Sequence, residues 1–148
     1  MSSVDWATFE QAAPELAAVG RERLHGRVAY FGTIRKSGAP RVHPVTPIVS
    51  EDALYIFMEP TSPKGKDLQR DARFTLHAGV EDINGGEGEF VLSGEAGLVT
   101  DAAERRRATV ASSYAPAERY ILFTLTIREV LHTAYQSEGP ARARWSSG

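Results

Sequence analysis

An antiparallel, mainly β barrel with short helices is the fold class this sequence predicts, and three observations predict it. Short runs rich in β-branched and aromatic residues recur between residues 28 and 135. Turn residues rather than long helical segments separate most of them, which favours hairpins over the crossovers a parallel sheet requires. Two prolines, Pro44 and Pro47, fall inside the second run and confine it to a sheet edge or a bulge, because neither can donate a ladder hydrogen bond.

The elements follow in order. Residues 1–25 form a helical segment: Trp6, Phe9, Ala13, Leu16, Ala17 and Leu24 recur at mostly three- and four-residue steps. Pro14 interrupts them, so a short lead-in turn followed by one helix is expected. Residues 28–34 make a first strand, closed by the turn chemistry of Lys36-Ser37-Gly38-Ala39-Pro40. Residues 41–49 return as the second strand, and Ser50-Glu51-Asp52 turns into a third at 53–58. Pro60-Thr61-Ser62-Pro63 opens a short helix over 64–70. Residues 74–78 and 90–96 are the fourth and fifth strands, with an Asn84-Gly85-Gly86 turn before the latter. Asp101 with Glu104 three residues later marks the start of a helix over 102–111. Residues 120–127 and 130–135 supply a final pair of strands, and 137–148 is a polar, flexible tail. The whole of 1–148 is expected to be a single domain.

Composition narrows the function classes. A formal net charge of -2 gives no general attraction to nucleic acid or an anionic membrane. The absence of cysteine removes disulfides, thiolate metal sites and a cysteine nucleophile. No apolar run approaches the roughly 20 residues of a membrane helix, and the first ten residues lack a basic-then-apolar leader, so a cytoplasmic location is expected. His25, His43, His77 and His132 are scattered without an i, i+4 pair, and no metal site is expected. His77 and His132 fall on strands as packed or interfacial residues. Arg105-Arg106-Arg107 sits inside a helix as a solvated face, and Gly85-Gly86-Glu87-Gly88 lacks the strand-then-helix context of a nucleotide fingerprint.

One stretch carries chemistry. Ser62 stands where it can cap the helix that Pro63 and Lys64 begin, and a helix start offers free N–H groups with partial positive charge. Lys64 and Lys66 add full charges beside it. The dipole contributes about 0.3–1 kcal/mol and each charge-assisted hydrogen bond about 1.5–3, so the side chains would decide an anion's affinity. The same residues also describe a capped, solvated surface helix with two lysines, and spacing alone leaves both open.

The order of a β-turn, the His43-Pro44-Val45 extended run, the aromatic strand and then Ser62-x-Lys64 opening a helix resembles the pyridoxamine 5′-phosphate oxidase-like family of flavin-binding split barrels. The pattern spans 28–77, and the later strands extend it over most of the chain. The resemblance implies a split β-barrel of the FMN-binding type, a homodimer with FMN at the subunit interface, and small-molecule redox chemistry. It implies that His43, Pro44, Val45 and Thr46 line the flavin ring, that Phe57 and Met58 lie near the ribityl chain, and that Ser62 and Lys64 hold the phosphate. Pro63 departs from the family's Ser-Arg-Lys, and His43 stands where the oxidase has a phosphate-facing arginine; Lys66 or Arg41 would compensate. Glu89 corresponds to a polar ring contact from the partner subunit, and Trp145, with Arg142 and Arg144, resembles a C-terminal segment that closes over the cofactor. The oxidase's C-terminal arginine–histidine pattern is absent, so a general flavin reductase or oxidase is expected rather than vitamin B6 oxidation. A deazaflavin in place of FMN, and a non-enzymatic flavin- or haem-binding protein, are the alternatives.

Overall fold

The computed structural model describes residues 2–84 and 86–148. Gly85, within the expected Asn84-Gly85-Gly86 turn, lies outside the described residues. The first segment holds two helices. Asp5 caps α1 (Trp6–Ala12), its Oδ1 accepting from the Thr8 amide at 2.9 Å. Pro14 breaks nothing: it starts α2 (Pro14–Leu24) in the first turn, where its missing N–H needs no partner. The expected lead-in turn is therefore a helix of its own, supported by that cap.

The remaining elements are β1 (Ala29–Ile34), β2 (Pro40–Val45), β3 (Ile48–Val49), β4 (Leu54–Met58), α3 (Pro63–Arg70), β5 (Arg73–Ala78), β6 (Glu89–Leu98), α4 (Ala102–Ala111), β7 (Ile121–Gln136) and β8 (Gly139–Ser146). The strands pair antiparallel in the order β2-β1-β5-β6-β7-β4-β3, with β8 added to β7. The fold is mainly β and antiparallel. Its two extremes, β2 and β3, are joined in the chain only by Thr46 and Pro47, so the sheet must curl until its edges meet at that corner. The result is a barrel split along one seam, and the proline-bearing segment forms that seam.

Two expectations change in the C-terminal half. Residues 120–127 and 130–135 are not two strands but parts of the single strand β7. The polar Arg128-Glu129 pair imitates a turn, yet it is a bulge: Ser93 pairs with Glu129 while Gly94 pairs with Ile127, leaving Arg128 as the extra residue. Gly94 is required there, because a Cβ would collide with the Thr126 carbonyl. The tail, expected to be flexible, contains β8, which pairs with β7 in the register Val130↔Trp145. Trp145 anchors it by packing on Phe9 with ring centroids 5.1 Å apart. An exposed strand with one apolar anchor has too little alternation to declare itself in sequence.

The barrel interior is filled by Phe31, Leu54, Ile56, Leu76, Phe90, Leu92 and Leu125, and helices α1 and α2 close it with Trp6, Phe9 and Leu24. A second cluster, Ile48, Tyr55, Phe57, Leu122 and Ala108, lies between the outer side of the β3-β4-β7 region and α4. Strand β4 is thus buried on both faces, which is why it appears in sequence as a continuous apolar run rather than an alternating one.

Candidate functional site

Helix α3 lies beside the open seam, and its start carries the candidate site. Pro63 occupies the first helical position, and Ser62 is the N-cap by backbone geometry. Its hydroxyl, expected to cap the helix, does not do so. Instead Ser62 Oγ accepts from Lys64 Nζ at 3.0 Å, so hydroxyl and ammonium are held together over the first turn. Lys64 is half-buried, and burial lowers its pKa from the usual lysine value. Its only hydrogen bond among the described residues is to a neutral hydroxyl; no carboxylate neutralises it.

Strand β2 supplies the facing wall. Alternation puts Arg41, His43 and Val45 on the inner side, opposite Thr33, Phe31 and Ala29 of β1, and leaves Val42 and Pro44 exposed on the outer side. Arg41 Nε donates to Asp67 Oδ2 of α3 at 2.7 Å, and Thr33 Oγ1 donates to the same oxygen at 2.8 Å. Arg70 takes the other oxygen, Oδ1, at 3.0 Å. Burial pushes the Asp67 carboxyl up, but the hydrogen bonds from Arg41, Thr33 and Arg70 outweigh it and hold the group ionised below the usual range. Among the described residues the two terminal nitrogens of Arg41 make no hydrogen bond. His43 is pushed the other way: desolvation first, then the charges of Lys64 and Arg41, lower its pKa and keep the imidazole neutral near pH 7. Arg41, His43 and Lys64 therefore converge from a strand edge and a helix start, with net positive charge even after Asp67 is counted.

The other sequence-predicted residues scatter. Val45 is core, Pro44 is exposed, and Thr46 links the two edge strands. Phe57 and Met58 point to opposite faces: Met58 sits against Gly65 of α3, whereas Phe57 is buried in the second cluster under Arg105, 5.1 Å from its guanidinium. The ring of Phe57 therefore lies on the opposite sheet face from Met58, as strand alternation requires. Lys66 is exposed on α3. Glu89 lies on the outer sheet face, where it accepts from the Tyr135 hydroxyl and sits 3.8 Å from His77 Nε2. Trp145 packs on α1. Arg105, expected on a solvated face, instead donates to the Ala117, Glu118 and Tyr120 carbonyls and fastens the loop after α4. Sequence reasoning missed Thr33 and Asp67, and named Arg41 only as a substitute. Nothing local marks Asp67, since burial of an aspartate on a helix with Lys64, Lys66 and Arg70 is a tertiary fact.

Among the described residues, two depressions lie well away from the cradle. One of about 480 Å³ is on the outer face of β6-β7-β8 beside Ser93, Glu129 and Arg144, and one of about 570 Å³ separates α4 from the turn at Asp52. Neither includes Arg41, His43 or Lys64. The cradle lies on an open seam, so its charge and hydrogen-bond pattern identifies it better than enclosed volume does. Among the described residues no helix is long and apolar enough to cross a membrane.

A split antiparallel barrel with a cationic cradle at the start of a seam-side helix defines the structural class, and comparison with known proteins narrows it. Residues 18–134 match the family model for pyridoxamine 5'-phosphate oxidase, and the chain belongs to that family. No curated protein matches it in sequence. Among solved structures it is similar to a haem-binding protein from Mycobacterium smegmatis, with a TM-score of 0.68 and 17% identity over 87% of this chain. The chain spans 57% of the length of that protein. It is also similar to a pyridoxamine 5'-phosphate oxidase-related, FMN-binding protein from Nostoc punctiforme PCC 73102, with a TM-score of 0.66 and 12% identity over 95% of this chain and 91% of that one. An F420 reductase matches with a TM-score of 0.57 and 12% identity, covering 74% of this chain and 94% of that one. At these identities the likenesses establish the shared fold.

Proposed function

We propose that this protein is a flavin-dependent oxidoreductase that binds FMN as a homodimer, with the phosphate in the Arg41–His43–Lys64 cradle and the ring along the seam at His43 to Thr46. The observation that carries this reading is the convergence around His43 of two cations with uncommitted hydrogen-bond donors, Lys64 from the first turn of α3 and Arg41 held to its second turn at Asp67. The donor set suits a phosphate dianion: a guanidinium with two free nitrogens, an ammonium resting on a hydroxyl, and the Lys64 backbone N–H at the helix start, where the Gly65 and Lys66 amides already bond to the Ser62 carbonyl. Pro63 removes one cation relative to the family's Ser-Arg-Lys, and Arg41 replaces it from the neighbouring strand. Lys66, being exposed, adds long-range attraction rather than a contact. Met58 and Gly65 give the apolar floor beside the cradle.

When bound, the flavin supplies the two-electron chemistry, and the chain supplies binding and orientation. Pro44 and Pro47 stiffen the seam, so the backbone from His43 to Thr46 offers a fixed wall to a planar ring. Burying such a ring offers about 4–6 kcal/mol before ordering costs, from roughly 150–250 Å² of apolar surface. His43 lies beside the anionic end, and its neutral imidazole avoids repelling Arg41 and Lys64.

The homodimer finds support on the outer sheet face. Tyr30, Val42 and Tyr135 are 49%, 64% and 46% exposed, and the cross-strand row Pro44–Tyr30–His77–Val91–Leu131 makes this face continuous. A monomer gains nothing from leaving that face in water. A second subunit there would bring Glu89 and its Tyr135 and His77 neighbours to the cofactor's other side.

The deciding experiment is the absorption spectrum of the purified protein with mass spectrometry of any released ligand, together with a light-scattering mass. Flavin bands or stoichiometric uptake of added FMN by a dimer is the expected result. A folded protein that ignores FMN but takes up a deazaflavin shifts the cofactor and keeps the site. A Soret band with no flavin uptake overturns the reading in favour of haem.

A further inference from the structure

We infer that Asp67 is a positioning residue that aims Arg41 at the bound anion, with Thr33 fixing Asp67 in turn. This rests on the reading of the Arg41–His43–Lys64 cradle as a phosphate site. A carboxylate in a site that must attract an anion is at first sight a defect, since its charge opposes the ligand's. Its geometry resolves the conflict. The Asp67 side chain is 4% exposed, and both oxygens are engaged by donors from three elements: β1 through Thr33, β2 through Arg41 and α3 through Arg70. Three hydrogen bonds and its burial hold the group inside the protein, leaving little of it to meet a ligand.

What Asp67 holds on Arg41 is the Nε–H alone, at 2.7 Å. A guanidinium presents five donors in a rigid plane, so fixing the inner N–H fixes the direction in which the outer pair points. Arg41 is 20% exposed at its side chain, enough for the outer nitrogens to reach a ligand but too little for the group to swing freely. Without Asp67 a long arginine on an edge strand would sample several rotamers, and ordering it on binding would cost affinity. Removing the carboxylate would raise the positive charge of the cradle and still weaken binding. That opposed sign separates positioning from simple electrostatics, which predicts tighter binding on losing a nearby negative charge.

A double-mutant cycle on FMN affinity tests this, using Asp67→Asn, Arg41→Ala and the double variant in the full-length protein, with thermal melts run alongside. Asp67→Asn is expected to weaken FMN binding about tenfold, a loss of the size that 1.4 kcal/mol represents. In the Arg41→Ala background the same change is expected to have no further effect, because Asp67 acts through Arg41. Tighter binding by Asp67→Asn, or losses that multiply in the double variant, overturns the inference. Should Asp67→Asn fail to fold, Thr33→Val and its combination with Arg41→Ala give the same cycle with a milder lesion. Inorganic phosphate, followed by the His43 ring resonances, is the second probe. If phosphate obeys the cycle while FMN does not bind, the flavin reading falls and the positioning role stands. If the wild-type protein takes up neither, both fall.

Discussion

Two helix starts in this molecule have been finished in opposite ways. At α4, Asp101 accepts from the Glu104 amide at 2.9 Å, so the helix satisfies its own first turn. The Glu104 side chain does not return to the cap but accepts from the Tyr55 hydroxyl at 2.9 Å, tying the helix to the sheet. At α3, the N-cap hydroxyl is withdrawn from the backbone and spent on Lys64, while Pro63 contributes no N–H. One start is closed and structural. The other gathers the Lys64 ammonium and amide beside Arg41 and His43 from β2. The difference shows that a capping residue in the expected position is not evidence of capping; what the hydroxyl touches decides whether the helix end serves stability or a ligand.

The largest effect should come from Lys64→Ala, which removes the one cation seated on the helix start. A fluorescence titration with FMN is expected to show a loss of about 10- to 100-fold, the equivalent of one charge-assisted hydrogen bond. Arg106→Ala on the closed helix should leave the affinity as it was; equal affinities for the Lys64 variant and the wild type would remove α3 from the site. Next in size is the exchange of roles between the two caps. Asp101→Ala is expected to cost about 1 kcal/mol of stability in denaturant melts with FMN affinity unchanged. Ser62→Ala should do the reverse, weakening FMN severalfold with a melt close to wild type, because no cap bond is lost.

The smallest effect is a proton. The fold lowers the pKa of His43, so its contribution to stability is complete above the unfolded value of about 6.5 and is eroded as pH falls below it. A bound dianion offsets the field of Lys64 and Arg41 and raises that pKa, so binding should take up a fraction of a proton at slightly acidic pH. Titration of the His43 ring by NMR, with and without ligand, should show an upward shift on binding. An unchanged midpoint would place the anion elsewhere.

Legibility followed the range of the forces involved. Strands β1, β4, β5 and β6 were readable because their apolar runs and turns are local, and Pro44 and Pro47 announced the edge by the donors they lack. The cradle was half readable: Ser62 and Lys64 stand together in sequence, while Arg41 lies more than twenty residues before them and is joined to α3 by Asp67. The bulge at Arg128 and strand β8 were hidden for the same reason, since a polar pair or a polar tail acquires strand geometry only from its neighbour.

The sequence by itself determined the class of barrel, the position of the seam and the presence of a cationic helix start, because periodicity, proline chemistry and charge act within a few residues. The tertiary structure alone decided that Asp67 is buried and triply bonded, that Phe57 lies on the opposite sheet face from Met58, and that Ser62 holds Lys64 instead of its helix. Those outcomes depend on which groups are brought within hydrogen-bond reach when distant strands pair, and on which side of a pleat each side chain then finds itself.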